Sequence, residues 1–545
     1  MESQQRIDGV QFTRMVQRGA QSLRAHVASV NNLNVFPIPD GDTGDNMLLT
    51  ILGGADAAVD TLSVSEASRR ISDGMLLSAR GNSGVILSQI FEGMAESFEG
   101  MESADNEGII KALRAGVAHA YNAVLEPTEG TMLTVVRCAA EYVATKPVAG
   151  PEELFRDLVA EAKRTLEKTP EMLPVLKKAG VVDSGGAGFV YIAEGMLKAL
   201  ADGEVTENFS TPKIGEASID LNLFSEDSVL EYGYCTELLL RLQRCKTDID
   251  TFEVYSLTDY LKGIGDSVVA FKTGSIVKIH IHTMTPDRVL AFCQRYGEFL
   301  KIKIENMSLQ HNNTPTEGIN VSVKPPREKK TYGVVAVASG DGVKSFFEES
   351  GADVIVDGGQ SMNPSTEDFI RAFDEACAET VFVLPNNSNI ILTAKQAAAM
   401  YEGSDIRVIE SKTVGDGYAA LSMLSVDSGD TDTIVRELTE AMDGVVTAEV
   451  SQSVRDTDEV SAGDYIGFVG KDIIADEKTR LEAACKTVDS LSENEFDICI
   501  IARGKTVDER EGTELSSYVK TNYPSKEVYM IDGGQDVYDY IIIVE

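Results

Sequence analysis

The spacing of apolar residues divides the chain into three regions. From about residue 10 to 204, apolar residues recur every three or four positions, as in FTRMVQRGAQSLRAHVASV, which predicts amphipathic helices. Residues 217 to about 310 mix strand-like runs such as SVVAFKTGSIVKIHIHTM with helical ones, which predicts a small α+β domain. From Tyr332 onward, short apolar strands alternate with amphipathic helices, which predicts a parallel sheet with crossover helices.

Two segments without this periodicity predict the domain boundaries. Residues 201–216 gather glycine, proline, serine and charged residues, which is typical of a linker. The segment VSVKPPREKKT places two prolines in a basic stretch of an otherwise acidic chain. The predicted domains are therefore residues 1–205, 217–325 and 330–545.

Composition and charge exclude several classes of protein. The chain of 545 residues has a formal net charge of −38, so its surface is expected to repel nucleic acid and anionic lipid. The amino terminus lacks the apolar core of a secretory signal, and no apolar run is long enough to span a membrane. Seven scattered cysteines argue against a disulfide framework, and together these features predict a cytoplasmic protein.

The segment NVFPIPDGDTGDN, residues 34–46, carries the densest group of candidate ligands. Asp40 and Asp42 flank a glycine, and Asp45 follows three positions later. Carboxylates that converge without cysteine or histidine are hard oxygen ligands, which suit Mg²⁺ bound to phosphate. The alternative is an Asx-rich turn that caps a helix beginning near Asn46. An EF-hand is a poor alternative because the loop lacks the regular alternating ligands and the bidentate Glu at position 12.

Three further loops, each rich in glycine and polar residues, precede helical patterns. They are RGNSG at 80–84, EGTM at 129–132 and DSGGAG at 183–188. Backbone N–H groups at helix N-termini attract phosphate, although each loop taken alone is more often only a helix cap. If the helices form an up-and-down bundle, alternate loops lie at one end and can share a nucleotide. The motif GKT at 504–506 lacks the first glycine of a phosphate-binding loop and is interpreted as a surface loop.

The middle domain holds a candidate zinc site. His280 and His282 are two positions apart in a predicted strand, so they share a face, and Cys235 is a plausible third ligand. The alternative is a pair of partly buried histidines on an edge strand beside a core cysteine. These residues alone leave the two interpretations equally open.

The order of the motifs PDGDTGDNM, GNSG, GTML and DSGGAG resembles the nucleotide-binding L subunit of dihydroxyacetone kinases. With its two further domains, the chain resembles the A subunit of bacterial fatty acid kinases along its whole length. The resemblance implies an all-α eight-helix barrel that holds ATP and Mg²⁺ at one end. It also implies zinc at the middle-domain site, and a carboxy-terminal α/β domain similar to the DegV family of fatty-acid-binding proteins.

The resemblance further implies roles for single residues. Asp40 and Asp42 would carry Mg²⁺, with Asp45 or Asn34 as a further ligand, because the dihydroxyacetone kinase pattern has an upstream Asp where this chain has Asn34 or Val35. It implies phosphate contacts for Thr43, Asn46, Gly81, Asn82, Ser83 and Gly84. Thr131 and Met132 would lie near the adenine, and Asp183 and Gly185 would close the nucleotide pocket.

The predicted function is an ATP-dependent kinase. It would phosphorylate the carboxylate of a fatty acid presented by a separate DegV-like carrier protein, giving an acyl phosphate for phospholipid synthesis. The resemblance assigns dimerisation and docking of the carrier to the third domain, so a homodimer is expected. The alternatives are a kinase for dihydroxyacetone or another small polyol, and a nucleotide-sensing regulatory protein that would tolerate loss of Asp40 and Asp42.

Overall fold

The computed structural model describes fourteen ranges of the chain, which are residues 6–33, 41–58, 61, 63–124, 126–201, 234–249, 251–252, 255–273, 275–306, 329–359, 363–424, 430–457, 460–492 and 496–545. Two units are present: residues 1–204 with 332–369 and 380–545, and residues 205–331 with 370–379. Most of the predicted linker and of the VSVKPPREKKT segment lies outside the described residues. The three predicted domain boundaries stay predictions.

The amino-terminal region is helical, apart from a short antiparallel pairing of β1 (Ile7–Asp8) with β2 (Ser103–Ala104). Its described helices are α1 (Gly9–Arg24), α2 (Val27–Asn31), α3 (Thr43–Ala57), α4 (Val64–Ser78), α5 (Gly81–Ser97), α6 (Asn106–Ala123), α7 (Met132–Val143), α8 (Pro151–Leu166), α9 (Thr169–Met172), α10 (Pro174–Ala179) and α11 (Ser184–Ala201). Within the described ranges, no helix has the length and apolar character needed to cross a lipid bilayer.

Local sequence signals explain where several of these helices begin. The Asp8 carboxylate accepts the Gln11 amide at 2.9 Å ahead of α1, and the Asp105 carboxylate accepts the Gly108 amide at 3.0 Å ahead of α6. Each side chain satisfies a backbone donor that has no partner within its own helix. Pro151 opens α8, a position where its missing N–H is not needed.

The long helices pack against one another in a cyclic order. Starting from α1, each helix contacts the next in the series α1, α3, α4, α5, α6, α7, α8, α11 and again α1. Where α5 meets α6, a Cβ on Gly93 would lie 2.5 Å from the Ala115 carbonyl oxygen, so only glycine allows this approach. The apolar faces meet in one core that includes Phe12, Met47 and Ile71. The first and last long helices of the region are therefore neighbours.

The second unit contains an antiparallel sheet. Leu238, Val277 and Ile279 of its core are fully or almost fully buried, as are Leu257 and Val289 from the two helices. The strand order is β4-β5-β3-β6, and the elements are β3 (Tyr234–Leu242), α12 (Tyr255–Lys262), β4 (Asp266–Thr273), β5 (Ile276–Thr283), α13 (Pro286–Cys293) and β6 (Gly297–Asn306).

The carboxy-terminal region begins with a four-stranded sheet in the order β10-β9-β7-β8. The pairs β7–β8 and β9–β10 are parallel, as the alternation of strands and helices predicts. The elements are β7 (Lys330–Ala338), α14 (Asp341–Glu349), β8 (Val354–Asp357), α15 (Thr366–Ala376), β9 (Ala378–Leu384), α16 (Ile391–Met400), β10 (Asp405–Val408) and α17 (Val414–Ser422).

The rest of this region corrects the prediction of a single parallel sheet. A second sheet has the order β13-β12-β11-β16-β14-β15, in which the described pairs are antiparallel except for β14–β15. Two residues join β12 to β13, too few for the crossover that parallel strands need. The elements are α18 (Thr431–Met442), β11 (Val446–Gln452), β12 (Tyr465–Val469), β13 (Asp472–Glu477), α19 (Arg480–Leu491), β14 (Ile498–Arg503), α20 (Glu509–Asn522), β15 (Glu527–Asp532) and β16 (Tyr540–Val544).

Candidate functional site

Each of the four glycine-rich motifs stands at the start of a long helix, as the sequence predicts. Asp42 precedes α3, Arg80 precedes α5, Thr131 precedes α7 and Asp183 precedes α11. Helix α3 begins at Thr43, three residues before the predicted start near Asn46. The first amides of each helix lack intrahelical partners, so each start offers backbone donors and a positive dipole end to an anion.

The four helix starts are neighbours in space. An ideal Cβ on Gly185 would lie 3.3 Å from the Met132 Cβ and 3.8 Å from the Ser83 Oγ. The starts of α11, α7 and α5 are therefore next to one another. The Ser184 hydroxyl lies 3.4 Å from the Thr43 hydroxyl, which adds the fourth. These four loops therefore form one site, which we call the loop cluster, defined by residues 41–46, 80–84, 129–132 and 183–188.

Contacts within the first loop separate its carboxylates into different environments. Asp45 is exposed, and its carboxylate accepts the Asn31 side-chain amide at 2.6 Å. The other end of Asn31 accepts the Gly44 backbone amide at 2.7 Å, so Asn31 anchors the first turn of α3. Asp42 is partly buried and accepts a hydrogen bond from the Asn363 side-chain amide. Asp40 and Asn34 lie outside the described residues.

Asp183 ties two of the loops together. Its carboxylate accepts the backbone amides of Gly186, at 2.7 Å, and of Met132. Burial raises the pKa of this carboxyl to about 6, although the two amides act in the opposite direction. The backbone amide of Asp183 in turn donates to the Thr169 hydroxyl at 3.1 Å. Asp183 therefore shapes the loop cluster by fixing the starts of α7 and α11.

The loop ahead of α7 is held by a polar network. Glu129 accepts hydrogen bonds from the Thr134 hydroxyl at 2.6 Å, from Arg137 at 2.7 Å and from the Tyr121 hydroxyl at 3.0 Å. These bonds, that of Thr134 first, lower the pKa of the Glu129 carboxyl. The Thr131 hydroxyl donates to the Thr128 carbonyl at 2.8 Å. The backbone that presents Thr131 is therefore fixed by its own side chains.

A segment of the carboxy-terminal region reaches the loop cluster, which sequence reasoning missed. Asn363 is 1% exposed, and its backbone carbonyl accepts the Arg80 guanidinium at 2.8 Å. The Thr366 amide donates to the Ala79 carbonyl at 3.2 Å, so the two chain segments run side by side. A polar residue before a proline predicts only a turn, and no local signal identifies a contact across 321 positions.

Two more side chains extend this contact. The Asn82 amide lies 3.4 Å from the Asn389 side-chain oxygen. Gln396 of α16 donates to the Leu76 carbonyl at 2.7 Å and accepts from Gln89 at 3.1 Å. Asn389 belongs to the polar loop 386–389 that follows β9, and it makes this contact with the loop cluster.

Asn386, from the same loop, stabilises its own sheet. Its amide donates to the Val337 carbonyl at 2.9 Å, and its side-chain oxygen accepts the Ser411 hydroxyl at 2.8 Å. The segment 358–361 follows β8 in the same way, and of it only Gly358 and Gly359 fall within the described residues. The GKT motif at 504–506 directly follows β14, and Lys505 pairs with Asp536 at 3.4 Å, which confirms a loop after a strand.

The candidate zinc ligands of the second unit are placed only by their backbone. Cys235 on β3 is the register partner of His282 on β5, and His280 is paired with Glu237. The side chains of Cys235, His280 and His282 lie outside the described residues. Among the residues that are described, no group of three or more His, Cys, Asp or Glu is arranged to hold a metal ion.

The donor set of the loop cluster fits a magnesium nucleotide. Asp42 supplies a carboxylate, and proteins commonly bind Mg²⁺ through one or two carboxylates together with substrate phosphates. The side-chain oxygens of Asn82 and Asn363 are buried and have no hydrogen-bond partner among the described residues. Buried oxygens of this kind are costly unless a donor or a cation satisfies them. The helix starts supply the complementary donors for phosphate oxygens.

Comparison with known families matches three models in succession. Residues 37–198 match the DAK2 domain, residues 231–314 match the FakA-like middle domain, and residues 333–545 match the FakA-like C-terminal domain, where FakA denotes the A subunit of fatty acid kinase. The loop cluster, with the exception of its carboxy-terminal contacts, lies inside the first match.

The chain also matches relatives along its whole length. The chain is 37% identical to Protein YloV of Bacillus subtilis, with 99% of each chain covered. It is 35% identical to Uncharacterized protein SSP1546 of Staphylococcus saprophyticus, covering 99% of this chain and 100% of that one. A solved structure of dihydroxyacetone kinase from C. freundii, in complex with AMP-PNP and Mg²⁺, is 12% identical, with a TM-score of 0.29 over 54% of this chain and 56% of that chain. That TM-score is too low to establish a shared fold.

Proposed function

Because the chain belongs to the FakA-like family of fatty acid kinases, we propose that it is an ATP- and Mg²⁺-dependent kinase whose acceptor is a fatty acid carboxylate. The observation that carries the proposal is the meeting of four helix starts around Asp42. Such a cluster concentrates backbone donors on a polyphosphate and places a carboxylate for its metal at the same point.

The chain's own groups account for most of the chemistry. Bound Mg²⁺ would neutralise charge on the phosphates, and Asp42, with Asp40, would hold it. The amides that begin α3, α5 and α11 would orient the phosphates and stabilise the charge that develops during transfer. A fatty acid carboxylate is ionised at pH 7, so the loop cluster needs no general base. Burial explains the raised pKa of Asp183, which therefore requires no catalytic role.

The finer features of the prediction belong to the same proposal. The cyclic packing order of the eight long described helices supports an eight-helix barrel. We propose a separate DegV-like protein as carrier of the fatty acid, acyl phosphate for phospholipid synthesis as the product, a homodimer, and a cytoplasmic location. We propose Asp45 as a further Mg²⁺ ligand. The residues proposed to surround the nucleotide are Thr43, Asn46, Gly81 to Gly84, Thr131, Met132, Asp183 and Gly185.

Zinc in the second unit also stays a proposal. The register that sets Cys235 opposite His282 supports it, because directly paired positions on antiparallel strands are the closest available. Metal analysis of the purified protein, beside a Cys235→Ser variant, tests it. An equal zinc content in the two proteins would contradict the assignment.

The kinase proposal is tested by trapping the acyl phosphate. Purified protein is mixed with ATP, Mg²⁺, oleate and a DegV-like carrier, and hydroxylamine converts any acyl phosphate to a hydroxamate. Asp42→Asn keeps the shape of the side chain but removes its charge, and we expect product formation to fall about 100-fold or more. Asp56→Asn makes the same change on an exposed residue of the same helix and should retain activity.

Two outcomes would contradict the proposal. Full activity of a folded Asp42→Asn variant would remove this carboxylate from the mechanism. No hydroxamate from the wild-type protein with several carriers, while nucleotide still binds, would remove the fatty acid as acceptor. ADP release with dihydroxyacetone would then indicate a polyol kinase, and its absence would indicate a nucleotide-sensing protein.

A further inference from the structure

Asn363 stands apart from the other residues at the contact between the carboxy-terminal region and the loop cluster. Gln396 and Thr366 bind backbone carbonyls or neutral amides, which is ordinary docking chemistry. Asn363 instead binds Asp42, the described carboxylate that we propose for the metal. Asn363 is 1% exposed, so its side chain is inaccessible to bulk water.

The position of Asn363 is fixed from several directions. Arg80 holds its backbone carbonyl at 2.8 Å, and Arg80 also lies 3.8 Å from the Asp368 carboxylate farther along the segment. The Ser365 backbone forms an isolated antiparallel bridge with that of Arg80. An ideal Cβ on Gly81 would lie 3.2 Å from the Asn363 side-chain nitrogen, so the amide group lies directly against the start of α5.

Of the two polar atoms of the Asn363 side-chain amide, only the nitrogen has a hydrogen-bond partner among the described residues. The nitrogen donates to Asp42, whereas the side-chain oxygen is buried without a partner among the described residues. An amide oxygen can accept a hydrogen bond or coordinate a cation, but it gains nothing from a phosphate oxygen. Beside a carboxylate that we propose for the metal, a divalent cation or a water molecule bound to one would satisfy such an oxygen.

We propose that Asn363 is a ligand-supporting residue of the metal–phosphate site, supplied to the loop cluster by the carboxy-terminal region. This inference rests on the proposed function and assigns Asn363 to the same site. Its amide nitrogen orients Asp42, and its amide oxygen meets the cation or a water on the cation. The nucleotide site therefore includes a residue from outside the segment that matches the DAK2 domain.

The test measures the metal requirement of nucleotide binding, not activity. ADP binding to the full-length chain is followed by calorimetry at increasing Mg²⁺ concentrations. For Asn363→Ala, we expect the Mg²⁺ concentration at half-maximal binding to rise about tenfold, the lower end of the effect of removing a residue that supports a metal ligand. For Asn363→Asp, a carboxylate oxygen still faces the cation but the amide donor to Asp42 is lost, so the Mg²⁺ requirement should lie below that of Asn363→Ala.

A matched control separates metal support from docking. Gln396→Ala removes hydrogen bonds from the same contact but leaves Asn363 and Asp42 in place, so it should lower thermal stability without changing the Mg²⁺ requirement. If Asn363→Ala and Gln396→Ala give the same Mg²⁺ curve, Asn363 is a docking residue and the inference is wrong. If Asn363→Ala binds Mg²⁺ and ADP more tightly, the segment obstructs the site and the inference is also wrong.

Failure of the underlying function gives a different result. If the wild-type protein binds no ADP at any Mg²⁺ concentration, the proposed nucleotide site is wrong, and so is the role of Asn363 that depends on it. If the wild-type protein binds ADP but no variant changes the curve, only the assignment of Asn363 is wrong.

Discussion

Gly81, the first residue of α5, offers a direct test of the proposed phosphate contact at residues 80–84. Its φ of +54° is a conformation that residues with a side chain rarely adopt, and substitution by alanine costs about 1–2 kcal/mol for the backbone alone. The added Cβ would also lie 2.7 Å from the Asn46 side-chain nitrogen and 3.2 Å from that of Asn363. The Asn46 amide must then move away from the position proposed for its phosphate contact, and the Asn363 amide is pushed from its place beside Asp42.

Gly100 provides a control with the same backbone cost. Its φ is +74°, and no atom lies within 4 Å of an ideal Cβ there. Gly81→Ala and Gly100→Ala should therefore both lower Tm by a few degrees, following the backbone cost of about 1–2 kcal/mol. Only Gly81→Ala should weaken the binding of magnesium ADP.

The size of the binding effect follows from the hydrogen bond that the displaced Asn46 amide can no longer donate to the phosphate. A hydrogen bond to a charged phosphate contributes about 1.5–3 kcal/mol, so removing one raises Kd about 10- to 150-fold. Calorimetric titration of the two variants at saturating Mg²⁺ measures this difference, and thermal unfolding measures the shared cost. Equal affinities in the two variants would refute the placement of the phosphate at the start of α5.

Two further predictions concern buried carboxyl groups. Burial, with the Asp416 charge in addition, raises the pKa of Glu449 on β11 to about 8, so the folded chain holds this proton more tightly than the unfolded chain. Between the pKa of the unfolded chain and that of the folded chain, the free energy of unfolding should fall by up to about 1.4 kcal/mol per pH unit as pH rises. Urea unfolding from pH 5 to 8 should show this decrease for the wild-type protein but not for Glu449→Gln. Asp183→Ala leaves the Gly186 amide without its acceptor and should cost about 0.5–2 kcal/mol in thermal unfolding. An unchanged Tm would contradict its capping role, and Asp183→Asn, which keeps an oxygen, should lose less.

The helix starts of the candidate site could be predicted because their signals are local. In each motif, glycine and small polar residues stand directly before an apolar run of helical spacing, and this pattern fixes where a helix can begin. The strands that follow Tyr332 could be located for the same reason. Neither prediction required knowledge of residues distant in the sequence.

Features that depend on distant partners could not be predicted. The runs FDICIIAR and EVYMID do form the neighbouring parallel strands β14 and β15, but they belong to a second sheet whose other described pairs are antiparallel. An apolar run indicates that a strand is buried, not which strand lies beside it. Asn363 shows the same limit, because its role depends on Asp42, 321 positions earlier.

The contact between Arg80 and Asn363 also sets the order of events during synthesis of the chain. These residues are 283 positions apart, which a ribosome traverses in about 15–55 s at 5–20 residues per second. During that interval the nascent helical region exists without the segment that covers the start of α5. A ribosome stalled after α11 has emerged but before residue 363 is made would therefore display the proposed nucleotide site without Asn363 beside Asp42.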